Sequence, residues 1–141
     1  MPQAFSKTII HAPADAIWEV VGDFGAAGQY LASIINCTVE GAGVGALRTL
    51  TYADSSTILE RLEALDDHAR RLSYALLTDT PFRDCLTTVT VHELGRGQGE
   101  VTWTATFDAD GLPASEAVEM LEGAFESNSW ALQHSLVASA S

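Results

Sequence analysis

The last part of the chain carries one long helical pattern, and this pattern limits what the rest of the chain can fold into. From position 113 to about 137, apolar residues recur at i, i+3 and i+4 spacing and form one stripe. The stripe consists of Val118, Leu121, Phe125, Leu132 and Leu136. The glutamates of this segment lie mostly away from it, at Glu116, Glu119, Glu122 and Glu126. A helix with such a stripe needs a large apolar surface to pack against, and the preceding residues have to supply it.

The residues before this helix follow a two-residue period instead. Apolar and polar residues alternate in successive short segments, and turns rich in Gly, Asp and Ser separate these segments. The predicted strands are 37–40, 46–52, 57–65, 70–78, 85–94 and 100–108. Because short turns join strands that run in opposite directions, we expect an antiparallel meander.

The N-terminal segment is predicted to add one strand and two short helices. The strand covers residues 4–11. Pro13 begins the first helix, because Pro and the acidic Asp15 are both favoured in a first helical turn. Asp23 is the expected N-cap of a second helix over residues 24–33.

These elements predict a single α+β domain over residues 1–141. Its antiparallel sheet has seven strands and is curved, two short helices follow the first strand, and the long C-terminal helix lies over the concave face. A composition of 47% hydrophobic and 18% charged residues excludes a disordered chain and supplies a core. Because a curved sheet that holds one helix need not pack solid, we expect a pocket between them.

The chain is strongly acidic, with 19 Asp and Glu against 7 Lys and Arg and a net charge of -12. Repulsion from phosphates argues against nucleic acid as a partner. The sequence shows no apolar run long enough to span a membrane and no signal-peptide pattern at its start, so we expect a cytoplasmic protein. No Lys or Arg follows Arg96, so the C-terminal third forms either a solvated acidic face or a docking surface for a basic partner.

Alternation along the strands also predicts which side chains face the pocket. In the last strand, threonines alternate with an apolar set, which consists of Val101, Trp103, Ala105 and Phe107. Pairing across the glycine-rich loop at 95–99 is expected to set Val91 opposite Trp103. The inner face of the preceding strand then carries Cys85, Thr87, Val89 and Val91.

Three polar residues, Arg48, Glu60 and Tyr74, are predicted to share this inner face. Glu60 has the same parity as the apolar residues of its strand, namely Ile58, Leu62 and Ala64. A turn near position 54 sets Arg48 opposite Glu60, and a turn near position 67 sets Glu60 opposite Tyr74. Because an unpaired buried charge is costly, we expect Arg48 and Glu60 to form an ion pair. The pair either only fixes the sheet or anchors the carbonyl or hydroxyl group of a ligand in a hydrophobic cavity.

The predicted ligand contacts combine these three residues with their neighbours on the sheet and on the long helix. They are Arg48, Glu60, Tyr74, Thr87, Val89, Trp103, Leu121, Phe125 and Asn128. The sequence contains no GxSxG, P-loop or HExxH motif, so the catalytic candidates are limited to Glu60, Arg48 and Tyr74. Cys37 and Cys85 are expected to be reduced, buried thiols, and we expect neither a metal nor a cofactor because no His/Cys cluster has zinc spacing.

The same segments resemble the SRPBCC superfamily, the START-like helix-grip group, in its polyketide cyclase/dehydrase and lipid-transport branch. The resemblance covers nearly the whole chain and lies in APADAIWEVVGDF (12–24), GVGALRT (43–49), LERLEALD (59–66) with RLSY (71–74), and VTWTATF (101–107). It implies the helix-grip fold and a cavity for a hydrophobic or aromatic small molecule. Some members of the family are cyclases or dehydratases that act on poly-ketone chains, and others bind or carry lipids.

Three functions remain open from the sequence. The leading hypothesis is a cytoplasmic binding protein for a lipid- or polyketide-like small molecule, with Arg48, Glu60 and Tyr74 as polar anchors. The second is an aromatase/cyclase- or dehydratase-type enzyme, in which Glu60 acts as general acid/base while Arg48 and Tyr74 polarise a ketone. The third is a protein-interaction module that uses the acidic C-terminal third. The sequence also leaves a homodimer open.

Overall fold

One antiparallel sheet and one long helix make up most of the molecule, as the periodicity predicts. The computed structural model describes residues 1–31 and 33–140, with side chains up to residue 136. The elements are β1 (Gln3–Ile10), α1 (Ala14–Val21), a 3-10 helix (Phe24–Gln29), β2 (Ile34–Glu40), β3 (Leu47–Tyr52), β4 (Thr57–Asp66), β5 (Arg71–Leu76), β6 (Phe82–Gly95), β7 (Gln98–Ala109) and α2 (Ala114–Ala140). The strand order is β1-β7-β6-β5-β4-β3-β2. Strands β2 to β7 therefore form a meander, and β1 is added beside β7 as one edge of an open sheet. This is the predicted helix-grip fold.

The second short helix differs most from its prediction. It is a 3-10 helix that ends at Gln29 rather than at position 33. Its sequence, FGAAGQ, contains two glycines, which disfavour a longer regular helix because they lose much backbone freedom on ordering. Residue 32 of the predicted range lies outside the described residues. Asp23 caps the helix as predicted, since its Oδ1 accepts a hydrogen bond of 3.0 Å from the Gly25 backbone N–H.

The register between β6 and β7 is shifted by two residues from the predicted one. Val89, and not Val91, lies opposite Trp103. Because side chains on a strand alternate with a period of two, this shift exchanges partners but leaves each side chain on its predicted face. Val89 and Val91 are both buried.

The pairing of β4 with β5 contains a bulge that the alternation did not reveal. The prediction that Glu60 lies opposite Tyr74 is wrong: Glu60 lies opposite Leu76, and Leu62 lies opposite Tyr74. A register shift between Leu62 and Ala64 then inserts one residue, which reverses the faces beyond it. The prediction for Ala64 is therefore wrong: its side chain is exposed, and the next residue along the strand packs against the core instead.

The helix α2 closes the free edge of β1 as well as covering the sheet. The side chain of Glu122 accepts a hydrogen bond of 3.0 Å from the Phe5 backbone N–H. The side chain of Gln133 accepts one of 2.9 Å from the His11 backbone N–H. Both bonds satisfy backbone N–H groups, one in β1 and one directly after it, that have no neighbouring strand on that side. Among the described residues, no helix is long and apolar enough to cross a bilayer.

Under β1 and β7 the contact between sheet and helix is solid. The rings of Trp103 and Phe125 stack with centroids 5.4 Å apart, and the Trp103 Nε1–H donates a hydrogen bond of 3.1 Å to Ser129 Oγ. Leu132 is fully buried one turn further along α2. This packing fixes the helix on the sheet and so sets the space left beside it.

Candidate functional site

A cavity of about 330 Å³ lies between α2 and the inner face of strands β3 to β6. Most of its lining is apolar or aromatic, and from the sheet it includes Leu50, Tyr52, Ile58, Leu76 and Phe82. The helix contributes Met120, Leu121, Ala124, Phe125 and Asn128. The polar groups of the sheet side belong to Glu60, Tyr74, Thr80, Cys85 and Thr87. Met120 is half exposed, which places the mouth of the cavity beside this part of the helix.

Arg48 and Glu60 lie opposite each other on β3 and β4, as predicted. Arg48 Nε donates a hydrogen bond of 2.8 Å to Glu60 Oε1, and Nη2 lies 2.7 Å from the same oxygen, without hydrogen-bond alignment. The Arg48 side chain is 0% exposed and that of Glu60 is 9% exposed. The predicted buried ion pair is therefore present in the structure.

The rest of the guanidinium group is enclosed by the 3-10 helix and by β5. Arg48 Nη1 donates a hydrogen bond of 3.2 Å to the backbone carbonyl of Phe24. The Arg48 Cζ lies 4.1 Å from the centroid of the Phe24 ring and 4.6 Å from that of Tyr74, so the cation contacts two aromatic rings, which also contact each other with centroids 6.4 Å apart. Glu60 and Tyr74 line the cavity, whereas Arg48 does not. The ion pair thus presents its negative end to the cavity.

Burial dominates the protonation of these groups. Burial raises the pKa of the Glu60 carboxyl, although the attraction of Arg48 acts in the opposite direction. Burial also raises the pKa of the Tyr74 hydroxyl well above its usual range, so Tyr74 is a neutral phenol at physiological pH. Burial alone would lower the pKa of Arg48, but the negative charge of Glu60 more than offsets this effect. The pKa of Arg48 is raised as a result, and Arg48 stays a cation.

The two cysteines occupy different surroundings. Cys85 is buried in the cavity wall, with its Sγ 4.0 Å from Thr87 Oγ1, and burial raises the pKa of its thiol. Both cysteines are free, as predicted. Cys37 lies on the edge strand β2 and is only partly buried, so the prediction that it is buried was wrong.

The structure brings most of the predicted contacts together at the cavity, although their role in binding stays a prediction. Those that line it are Glu60, Tyr74, Thr87, Leu121, Phe125 and Asn128. Arg48 lies behind Glu60. Val89 and Trp103 lie in the solid core instead, because Phe125 stacks on Trp103 and separates it from the cavity.

Several lining residues were missed, although the sequence carries a signal for some of them. Tyr52 shares its strand face with Arg48, and Leu76 shares one with Tyr74, so strict alternation would have included both. On α2, Met120 and Ala124 precede Asn128 at four-residue spacing and form a row beside the apolar stripe. Leu31 and Ile34 reach the cavity from the segment around the start of β2, where no periodic signal exists.

Comparisons with known proteins agree with this geometry. A family model described as polyketide cyclase/dehydrase and lipid transport matches residues 2–140. The structure is similar to that of an uncharacterised protein from Bacillus thuringiensis, with 26% identity and a TM-score of 0.89 over 96% of this chain and 98% of that chain.

Two more distant structures share the fold. A START superfamily protein from Mycobacterium smegmatis is 14% identical, with a TM-score of 0.83 over 98% of this chain and 99% of that chain. The Zhui aromatase/cyclase from Streptomyces sp. R1128 is 22% identical, with a TM-score of 0.73 over 98% of this chain and 92% of that chain.

Proposed function

Because the chain belongs to the polyketide cyclase/dehydrase and lipid-transport family, we propose that it binds a hydrophobic or aromatic small molecule in the cavity between the sheet and α2. The observation that carries this proposal is the lining of the cavity. It is mostly apolar, and only a few polar groups, chiefly Glu60 and Tyr74, converge on it. Small-molecule sites typically combine apolar walls with a few polar groups that orient the ligand.

The size of the cavity limits the ligand. An apolar cavity of about 150 Å³ holds one benzene ring. A volume of about 330 Å³ therefore fits a molecule of about two fused rings, or an acyl chain of similar volume. A longer lipid or polyketide would extend through the mouth beside Met120.

The test is to fill the cavity from its helical wall. Ala124→Phe adds a ring to a lining residue of α2, and we expect it to weaken the binding of 2-naphthol, a neutral two-ring probe, by about tenfold or more. Isothermal titration calorimetry measures the affinity. Ser127→Phe places the same ring on an exposed position of α2 outside the cavity lining and is the matched control. Equal affinity in all three proteins, or no binding by the unaltered protein, contradicts the proposal.

An aromatase/cyclase-type enzyme is the second candidate function. The observation that favours it is the pair of groups in the cavity wall, a carboxyl with a raised pKa at Glu60 and a neutral phenol at Tyr74. A raised pKa favours a carboxyl as a proton donor and acceptor, and a phenol O–H can donate a hydrogen bond to a ketone oxygen. Arg48 acts here only through Glu60, because its guanidinium is enclosed behind the carboxylate.

Native mass spectrometry of the purified protein identifies the small molecule that co-purifies with it. With that molecule or its precursor as substrate, Glu60→Gln is expected to abolish turnover if the second candidate is right. Tyr74→Phe keeps the ring over Arg48, removes only the hydroxyl, and is expected to lower kcat more than it changes KM. Turnover that survives Glu60→Gln rejects the enzyme and leaves the binding function.

A further inference from the structure

The charge of the cavity lining is all of one sign. Among the described residues that line the cavity, Glu60 is the only Asp or Glu, and none is Lys, Arg or His. The remaining polar groups are hydroxyl, thiol and amide groups, which carry no formal charge. The electrostatic character of the cavity is therefore decided by the Glu60 carboxylate and by the partner that balances it.

That partner, Arg48, does not line the cavity, and its side chain is 0% exposed. Nε donates a hydrogen bond to Glu60 Oε1 and Nη1 donates one to the Phe24 carbonyl, while Nη2 lies 2.7 Å from Glu60 Oε1 without hydrogen-bond alignment. The rings of Phe24 and Tyr74 also pack against the guanidinium, with their centroids 4.1 Å and 4.6 Å from Cζ. A ligand in the cavity meets the carboxylate directly and the cation only through it.

The carboxylate still has acceptor capacity. An ionised carboxylate offers about four acceptor positions on its two oxygens and no donor. Both contacts from Arg48 fall on Oε1, so a hydroxyl or amide group of a ligand can donate to the same carboxylate. Such a bond brings no new charge into the cavity, because Glu60 and Arg48 already balance each other.

On the basis of the proposed function, we infer that the cavity selects uncharged ligands that donate a hydrogen bond and rejects carboxylates such as free fatty acids. An anion would lose its hydration and face the negative end of the ion pair in a lining without a cation. A cation would add a third charge that nothing balances. A phenol, an alcohol or a primary amide avoids both penalties and satisfies the carboxylate.

The experiment compares three probes of nearly equal size at neutral pH on the unaltered protein. They are 2-naphthol, which is neutral and donates, 2-methoxynaphthalene, which is neutral and has no donor, and 2-naphthoate, which is an anion. We expect 2-naphthol to bind most tightly and 2-naphthoate at least about tenfold more weakly. The methoxy compound is expected between them, because it loses the hydrogen bond without adding a charge.

A charge change at Glu60 tests whether this residue causes the selection. Glu60→Gln keeps the shape of the side chain but leaves the positive charge of Arg48 unbalanced behind the cavity wall. In this variant we expect the preference of 2-naphthol over 2-naphthoate to shrink or reverse. Circular dichroism checks that the variant is folded, and if it is not, the probe comparison on the unaltered protein decides alone.

The outcomes separate the inference from the function on which it rests. If 2-naphthoate binds within about threefold of 2-naphthol or more tightly, the inference is overturned and the binding function stands. A preference for 2-naphthol that is unchanged in folded Glu60→Gln also overturns it, because the selection then arises elsewhere. If none of the three probes binds, both the proposed function and the inference fall.

Discussion

The two halves of the sheet's inner face meet the same helix in different ways. Under β1 and β7, Trp103 stacks on Phe125 and donates a hydrogen bond to Ser129, so sheet and helix are in direct contact. Over β3 to β6, the face carries a buried ion pair and a cavity of about 330 Å³. The difference shows that the two halves have different packing: one half fixes the helix on the sheet, and the other leaves a cavity beside it.

The polar contacts described above for the ion pair in the cavity half come from elements other than α2. Arg48 is held by β4 through Glu60 and by the 3-10 helix through the Phe24 carbonyl. The side chains that α2 presents here include the small Ala124 and the flexible Met120. The charged pair is thus held by the sheet and the 3-10 helix, while α2 contributes uncharged side chains to the cavity wall.

The largest effect is expected when the ion pair of the cavity half is broken. Arg48→Met leaves the Glu60 carboxylate buried without its partner, and we expect the free energy of unfolding to fall by about 3–5 kcal/mol. Urea denaturation measures this change. The double variant that adds Glu60→Leu is expected to regain most of the loss, because apolar replacement of both partners is often neutral or stabilising.

Arg61→Met is the control for that experiment. Arg61 pairs with Glu63 on the outer face of β4, and the side chains are 45% and 35% exposed. An exposed pair contributes about 0–1 kcal/mol, so this variant should hardly change stability. A loss in Arg48→Met as small as that in Arg61→Met would show that the buried pair is dispensable for folding.

A medium effect is expected from truncating one leucine of α2 in each half. Leu132→Ala removes a fully buried side chain from the solid half and is expected to cost about 3 kcal/mol. Leu121→Ala removes a partly exposed side chain that already borders the cavity, and we expect a loss of about 1 kcal/mol. Thermal or urea unfolding of both variants measures the difference, and equal losses would mean that the two halves are packed alike.

The smallest effect concerns pH. Burial raises the pKa of Glu60, so the folded protein keeps a proton on this carboxyl at pH values where the unfolded chain has lost it. This contribution to the free energy of unfolding therefore decreases as the pH rises from the unfolded pKa of Glu, about 4.3, through the folded one. Glu60→Gln removes the titrating group, so the stability of the unaltered protein relative to this variant should fall over that window.

The carboxyl of Glu93 provides a comparison of opposite sign. It accepts hydrogen bonds from the backbone N–H groups of Ala14 and Gly95, and these bonds lower the pKa of Glu93. Its contribution to stability is present above the unfolded pKa and is lost as the pH falls through the folded one. Urea unfolding at a series of pH values should therefore give opposite slopes for Glu60→Gln and Glu93→Gln. A relative stability that rises with pH for Glu60 would show that the attraction of Arg48 outweighs burial.

Strand alternation predicted the inner face correctly even where the predicted pairing register was wrong by two residues. The register across the β6–β7 loop was wrong by two residues, but Thr87 and Val89 still lie on the predicted face. The turn between β3 and β4 is regular, and Arg48 lies opposite Glu60 as expected. A bulge of one residue reverses the face instead, which is why the prediction failed at Ala64.

The boundary between core and cavity could not be predicted from alternation. Trp103 and Tyr74 both face inward and are both buried, yet only Tyr74 lines the cavity. The distinction depends on where α2 crosses the sheet, and this is set by the stacking of Phe125 on Trp103. Such a contact joins residues from distant parts of the chain, and a one-dimensional pattern holds no information about it.

The contacts of α2 along the edge of β1 have a consequence for self-association. Glu122 and Gln133 accept hydrogen bonds from the outward N–H groups of Phe5 and His11, whereas the opposite edge strand, β2, pairs only with β3 and exposes Ile35 and Val39. Continuous growth of a sheet from molecule to molecule needs two free edges on each copy. A chain with a single free edge can add strand to strand once, and the resulting pair has no edge left to extend. By occupying part of one edge, α2 therefore hinders the continuous strand-to-strand growth that produces fibres.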